Sequence, residues 1–299
     1  MVDGDAIDLI ASHGQTIYHI PRDIKDYKAS TLQIGEPAII AYQHNTDVIS
    51  DFRVMDMAAS GEGAPIVPYL DYALFKTSKE GVVLQNIGGI GNLTFIPGNG
   101  KASDIIAYDT GPGNMLIDGA MKMLFNEEFD ASGEVARKGT IHHAMMDHLK
   151  NHPYLEIIPP KTTGREMFGE NYLKELLVMF SAVKREDVIA TLTAFTAYSI
   201  AFHVKRDIMQ NHSLQRMIVS GGGAHNKTLI DMIEEALGMP VEVFDKRTFG
   251  FGADEKEAVA IAYMGYETYH GIPSNVMSAT GAKESVVLGK ITPKPRKKK

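Results

Sequence analysis

Three glycine-rich turns, each placed directly behind an apolar run, constrain this chain more than any other feature. The first follows Val82-Val83-Leu84-Gln85 and reads Asn86-Ile87-Gly88-Gly89-Ile90-Gly91-Asn92. The second is Ala107-Tyr108-Asp109-Thr110-Gly111-Pro112-Gly113-Asn114, and the third is Met217-Ile218-Val219-Ser220-Gly221-Gly222-Gly223-Ala224-His225-Asn226. Glycine at a strand-to-turn junction permits positive φ and lets a ligand approach the backbone closely. Consecutive unshielded N–H groups form a concavity suited to an anion. One such turn is weak evidence of function. Three in one chain, one of them carrying an Asp, point to a nucleotide clamped between lobes.

A chain of 299 residues can bury a large core, and its length suits two domains. The net charge of −7 argues against nucleic acid as a partner, because phosphate contacts need a basic surface. Five of the last six residues are nonetheless basic (Lys294, Arg296, Lys297, Lys298, Lys299), and they read as a disordered, solvated tail. The absence of cysteine excludes disulfides, thiolate metal sites and Cys nucleophiles within the chain. No apolar run approaches the roughly 20 residues of a membrane helix. The start, Met1-Val2-Asp3-Gly4-Asp5, lacks the basic and apolar segments of a signal peptide, so a cytoplasmic location is expected and no membrane partner. The 16 methionines read as core filling.

Along the chain the pattern predicts strands over 6–12, 31–35 and 48–53, a polar turn at 13–16, a helix over 36–42 with Pro37 in its first turn, a loop over 54–65, and a helix over 65–75. From residue 79 the character changes. Strands are predicted over 82–85, 93–96, 104–108, 216–220 and 240–244, and helices over 115–125, 141–150, 170–180, 186–210, 226–237 and 253–270. This is an α/β alternation. The expected division is a first domain over 1–78, a second over 79–270, and a segment over 271–299 that returns to the first.

Asp109 is predicted at the end of an apolar strand, where ligands of open α/β sheets collect. It can serve as a general base, hold a phosphate-bound metal, or cap the turn through its own side chain. Gly221-Gly222-Gly223 opens a helix and suits backbone contact with a nucleotide, or a flexible connection. The Asn86–Asn92 turn is either a plain hairpin or part of the same clamp. Arg53 and Arg165 suit a carboxylate or phosphate, and a lone Arg is as often a surface ion pair. His13, next to a Gly-rich segment, is more often structural than catalytic. No Gly-x-Gly-x-x-Gly opens a helix ahead of a spaced acidic residue, which disfavours a Rossmann dehydrogenase.

Taken together, Ser12-His13-Gly14-Gln15-Thr16, Asp51-Phe52-Arg53, Gly61-Glu62-Gly63-Ala64-Pro65, Asn86-Ile87-Gly88-Gly89, Asp109-Thr110-Gly111-Pro112-Gly113-Asn114, Lys161-Thr162-Thr163-Gly164-Arg165-Glu166 and Gly221-Gly222-Gly223 resemble the anhydro-N-acetylmuramic acid kinase family over nearly the whole chain. The resemblance implies a two-domain actin-like ATPase (ribonuclease H-like) fold of the α/β class. It implies a sugar kinase of peptidoglycan recycling that opens the 1,6-anhydro ring with water and phosphorylates O6 from ATP with Mg²⁺. By likeness Asp109 is the base that activates water. Arg53, His13 and Gln15 bind the sugar, and Glu257 reaches it from the other lobe. Asn86, Gly88, Gly89, Gly221, Gly222 and Gly223 line the nucleotide. A homodimer is a further expectation.

The chain departs from the family pattern at its start, which lacks the strand and Gly-x-Met-Ser-Gly-Thr-Ser-x-Asp-Gly-like phosphate loop. On that ground the N-terminal domain is expected to be incomplete, with weak nucleotide binding and slow or absent turnover. Two alternatives follow: another actin-like sugar or acetate-type kinase, or a degenerate, non-catalytic module that binds a sugar or a partner protein.

Overall fold

The computed structural model describes residues 7–76, 79–159, 161–252 and 255–295. The basic tail from 296 and the N-terminal stretch Met1 to Asp5 lie outside the described residues. Along the chain the elements are β1 (Leu9–Ala11), β2 (Gln15–Ile20), β3 (Ser30–Ile34), α1 (Pro37–His44), β4 (Asp47–Ser50), α2 (Phe52–Ala58), α3 (Pro68–Phe75), β5 (Gly81–Ile87), β6 (Ile90–Ile96), β7 (Ile106–Pro112), α4 (Met115–Phe125), α5 (Glu134–Lys138), α6 (His143–Lys150), α7 (Arg165–Phe168), α8 (Glu170–Met179), α9 (Arg185–His203), β8 (Leu214–Ser220), α10 (Lys227–Leu237), β9 (Val241–Val243), α11 (Lys246–Phe249), α12 (Lys256–Tyr269), α13 (Met277–Thr280) and β10 (Lys290–Thr292). The class is mixed α/β, as expected. The chain divides into two compact units, residues 1–75, 100–105 and 254–299, and residues 76–99 and 106–253.

The first unit holds a small sheet of order β1-β4-β10, in which β4 runs parallel to β1 and antiparallel to β10. Val48, Ile49 and Phe52 are fully buried around it. A separate hairpin pairs β2 with β3, Gln15 opposite Ile34. Three expectations are corrected here. Gln15 and Thr16, expected in a polar turn, instead open strand β2. Within 54–65, residues to Ala58 are helical, because Phe52 and Asp56, one turn apart, are both buried and hold α2 in place. The segment expected at the end of the second domain, 253–270, yields α12, which belongs to the first unit. It packs on β1, β4 and α3 through buried Ala260, Met264 and Gly265, and the Thr268 hydroxyl donates to the Leu288 carbonyl.

The second unit is built on a sheet of order β7-β6-β5-β8-β9. β5, β6 and β7 form an antiparallel meander, while β8 and β9 continue the sheet in parallel. Helix α9 runs through the core between two apolar clusters, one among α4, α6 and α8 and one against the sheet and α10. It is buried on every side, so its polar side chains need internal partners. Thr193 donates back to the Ile189 carbonyl, and Thr196 donates across to Gly113 O at 2.9 Å. With the π-helical turn Val204–Met209 that follows, this stretch is long and apolar enough to cross a membrane, but 83% of its apolar window is buried inside the protein, as in a core helix.

Candidate active site

The second glycine-rich segment does not turn after Asp109; it continues as strand to Pro112. β7 is an edge strand, which tolerates Pro because no ladder partner needs the missing N–H. Asn92 pairs with Asp109 and Gly91 with Gly111, leaving Thr110 as an extra residue in a bulge. Bulges re-aim side chains beside functional sites. Tyr108 and Thr110 point into the unit. The Tyr108 hydroxyl donates to Asp207 Oδ2 at 2.7 Å, and the Ser199 hydroxyl of α9 donates to the Thr110 carbonyl. Asp109, between them, is half-buried on the other face.

One oxygen of the Asp109 carboxylate is held by the segment ahead of α7. Oδ2 accepts the Thr162 hydroxyl at 2.8 Å and the Thr163 amide at 2.9 Å. No donor among the described residues reaches Oδ1. Burial raises the Asp109 pKa above the ordinary carboxylate value, the two donors work against that, and Glu166 adds to the rise. The backbone closes around the residue as well. The Asp109 amide donates to Lys161 O, the Tyr154 hydroxyl to Asp109 O, and Lys161 Nζ to Tyr154 O. The Lys161 ammonium also lies 2.6 Å from His203 Nε2, and His203 Nδ1 donates to Ser199 O. That tautomer leaves Nε2 as acceptor, so Lys161 is the donor. Burial, reinforced by Arg206, lowers Lys161 to about 8; burial and then Lys161 itself lower His203 to about 4.

The other two turns meet at the carboxyl ends of β5 and β8, where Asn86 pairs with Ser220. The β5–β6 connection is shorter than the expected 86–92 turn, since only Gly88 and Gly89 separate the strands. Their carbonyls accept the amides of Gly113, Asn114 and Met115 at the start of α4. Gly221 has φ +82°, and a Cβ there would lie 2.6 Å from Asn86 Oδ1. A Cβ on Gly223 would lie 2.3 Å from the Ile87 side chain. Gly222 has only Asn114 Nδ2 nearby, at 3.5 Å. These residues therefore share one corner of the second unit, with Asn114, which donates to Ile87 O.

In the first unit Arg53 and His13 are in contact. Arg53 Nε donates to His13 Nε2 at 3.0 Å and Nη1 donates to Gly63 O at 2.9 Å. Among the described residues Nη2 makes no bond. Gly63 is held in turn by its amide on Asp56 Oδ2, and Asp56 Oδ1 accepts from Asn275 and Thr280. Burial lowers the Arg53 pKa and the charge of Glu257 raises it, so Glu257, exposed at the start of α12, belongs to the same charge cluster. This corrects the expectation that Glu257 comes from the other lobe: α12 is part of the first unit. Gln15 is exposed on β2, and its amide turns back to Thr16 O at 3.3 Å.

The family model described as anhydro-N-acetylmuramic acid kinase matches residues 1–294. The chain belongs to that family. A relative named anhydro-N-acetylmuramic acid kinase from Clostridioides difficile (strain 630) is 52% identical over 97% of this chain and 75% of its own length. One from Bacillus cereus (strain AH187) is 48% identical over 96% of this chain and 76% of its own. Among solved structures, the activator of the 2-hydroxyisocaproyl-CoA dehydratase from Clostridium difficile with bound ADPNP is similar at 14% identity and a TM-score of 0.42, over 68% of this chain and 65% of that one. The protein is thus an enzyme of a kinase family. Of the groups around Asp109 in this anhydro-N-acetylmuramic acid kinase family member, Tyr154 and His203 left no mark in the sequence. Thr162 and Thr163 stood in a family-specific stretch without an assigned role.

Proposed function

We propose that the protein transfers the γ-phosphoryl group of MgATP to O6 of 1,6-anhydro-N-acetylmuramic acid while water opens the anhydro ring, giving N-acetylmuramic acid 6-phosphate in murein recycling. The observation that carries this reading is the half-used carboxylate of Asp109, one oxygen pinned by Thr162 and Thr163 and the other open. Water attacks the anomeric carbon and gives one proton to Asp109 Oδ1. The C1–O6 bond breaks, its electron pair staying on O6, and O6 takes the phosphoryl group as ADP leaves. The proton on Asp109 then passes to solvent. A buried carboxylate with a raised pKa is the stronger base for this task.

Arg53, with Nη2 uncommitted, binds the lactyl carboxylate of the sugar, His13 holding its guanidinium and Gln15 nearby. Glu257 sets the charge beside it. Asn86, Gly88, Gly89, Gly221, Gly222 and Gly223 line the nucleotide, with Gly88, Gly89 and Gly222 offering the open backbone, since a Cβ on any of them would meet nothing nearer than 3.5 Å. Among the described residues no three His, Asp or Glu side chains gather as a cation cage. Mg²⁺ is accordingly read as arriving with the nucleotide, as its phosphate complex and part of the substrate.

The test is to incubate the purified chain with ATP, Mg²⁺ and 1,6-anhydro-N-acetylmuramic acid and follow phosphosugar by mass spectrometry. Product that disappears with Asp109→Asn supports the reading. Nucleotide hydrolysis without phosphosugar, or a different sugar preferred across a substrate panel, overturns it.

A further inference from the structure

The segment that holds Asp109 is itself held. Thr162 and Thr163 donate to Oδ2 from a stretch, 161–164, that belongs to no strand or helix. No ladder fixes such a stretch, so its place depends on where its groups are anchored. Lys161 supplies an inward anchor. It is 9% exposed, and its Nζ donates to Tyr154 O at 3.1 Å and to His203 Nε2 at 2.6 Å. Nζ also lies 4.3 Å from the centroid of the Tyr154 ring. The Lys161 carbonyl accepts the Asp109 amide at 3.3 Å, and the Tyr154 hydroxyl donates to Asp109 O at 2.6 Å. Asp109, Lys161 and Tyr154 therefore close a ring of three hydrogen bonds, with His203 as its outside anchor.

That anchor is firm. His203 is fully buried at the end of α9, with Nδ1 donating to Ser199 O at 2.6 Å. The π-helical turn Val204–Met209 follows at once. From it Arg206 donates to Leu155 O at 2.6 Å, next to Tyr154, and Asp207 accepts the Tyr108 hydroxyl at 2.7 Å, next to Asp109. One helix end thus grips chain neighbours of two members of the ring. Among the described residues the Lys161 ammonium has no ion-pair partner. Burying it beside neutral acceptors costs more than burying an apolar side chain of like volume. What the ammonium adds in return is directed N–H bonds.

We infer that Lys161 is a positioning residue of the base: tied to Tyr154 O and to His203, it holds the Thr162–Thr163 segment where that segment pins Asp109 Oδ2 and leaves Oδ1 open. This inference rests on Asp109 being the base, as proposed above. The charged and titratable groups facing the pair are Glu166 of α7, Glu156 and Tyr154 of the loop after α6, Tyr108 of β7, His203 of α9, and Arg206 and Asp207 of the π-helical turn. Burial raises the Asp109 pKa and the Thr163 and Thr162 donors oppose that rise, so a slackened segment should shift the acid limb of the pH profile upward.

The experiment compares wild type, Lys161→Met, His203→Leu, His203→Gln and Asp109→Asn in the full chain. It measures hydrogen exchange at the Thr163 amide, kcat, KM for sugar and ATP, the acid limb, and Tm. Lys161→Met and His203→Leu are expected to speed exchange of the Thr163 amide about 10-fold or more while the amides of β8 keep their protection. Their kcat should fall about 10- to 100-fold with both KM values within about twofold, and their acid limb should move to higher pH. Lys161→Met also removes a charge near Asp109; His203→Leu leaves the lysine in place, so a limb that moves there reports the segment. His203→Gln, whose side-chain oxygen can accept in place of Nε2, should return exchange and kcat toward wild type. Unchanged Thr163 exchange in folded Lys161→Met and His203→Leu overturns the inference. So does exchange that rises equally in β8 with a lower Tm, or faster Thr163 exchange with kcat unchanged while Asp109→Asn is inactive. An active Asp109→Asn enzyme would instead refute the assignment of the base, whatever the exchange shows.

Discussion

At the scale of single residues, the proposed chemistry depends on the state of Asp109. Burial lifts its pKa while Thr162 and Thr163 hold the anion. The base form is lost as pH falls through that raised value, so kcat/KM should begin to drop at a higher pH than for an ordinary aspartate. Asp109→Asn should lower phosphosugar formation by about 10²–10⁴-fold, the usual contribution of a general base. Thr162→Val removes a donor that favours the anion, so the acid limb should move further toward neutral pH; a limb that stays put would mean that the Thr162 bond is not made in solution. At Arg53, Arg53→Ala should raise KM for the sugar far more than it lowers kcat, because its proposed role is to hold the lactyl carboxylate. Steady-state kinetics with ATP saturating separates the two.

At the scale of elements, α9 supplies one hydroxyl to the bulge of β7, from Ser199 to the Thr110 carbonyl, and another, from Thr196, to Gly113 just beyond the strand. Replacing Thr196 by Val leaves the buried Gly113 carbonyl without the Thr196 hydroxyl and should cost about 1–3 kcal/mol in urea unfolding. Lys161 links β7, the loop after α6 and α9 through Asp109, Tyr154 and His203. Its pKa falls from 10.5 to about 8 on folding. Between those values the unfolded chain keeps a proton that the folded chain has lost, so this residue's contribution to stability rises with pH across that window. The difference in stability between wild type and Lys161→Met should therefore grow in favour of wild type from about pH 8 upward; a difference independent of pH would contradict the burial of the ammonium.

At the scale of the whole molecule, the chain forms two units whose sequences interleave: 100–105 and 254–299 return to the first unit. This is where the sequence reading was least complete. The apolar spacing of α12 announces a helix but not which sheet it covers, because Ala260, Met264 and Gly265 suit either. A sugar kinase acts on two ligands, and each that binds the folded chain alone should stabilise it, by about 2.7 kcal/mol at a concentration 100 times its Kd. MgATP and the anhydro-sugar should each raise Tm, and Arg53→Ala should remove the sugar's effect while keeping the nucleotide's.

The sequence by itself determined the α/β class, most strands and helices of the second unit, and the family, and it supplied the residues on which the proposed site rests. Periodicity and turn chemistry act over a few residues, and the motifs at Arg53, Asp109 and Gly221 are short enough to carry their meaning locally. Only the tertiary structure decided that the Asp109 segment runs on as a bulged strand, that Thr162 and Thr163 pin one carboxylate oxygen while the Thr163 hydroxyl stays unpaired, and that Lys161 and His203 stand behind them. It also decided that Glu257 shares a unit with Arg53. Each of these depends on groups tens of residues apart in the chain, brought together by burial and by the need of buried polar atoms for partners. Neither leaves a local pattern to read.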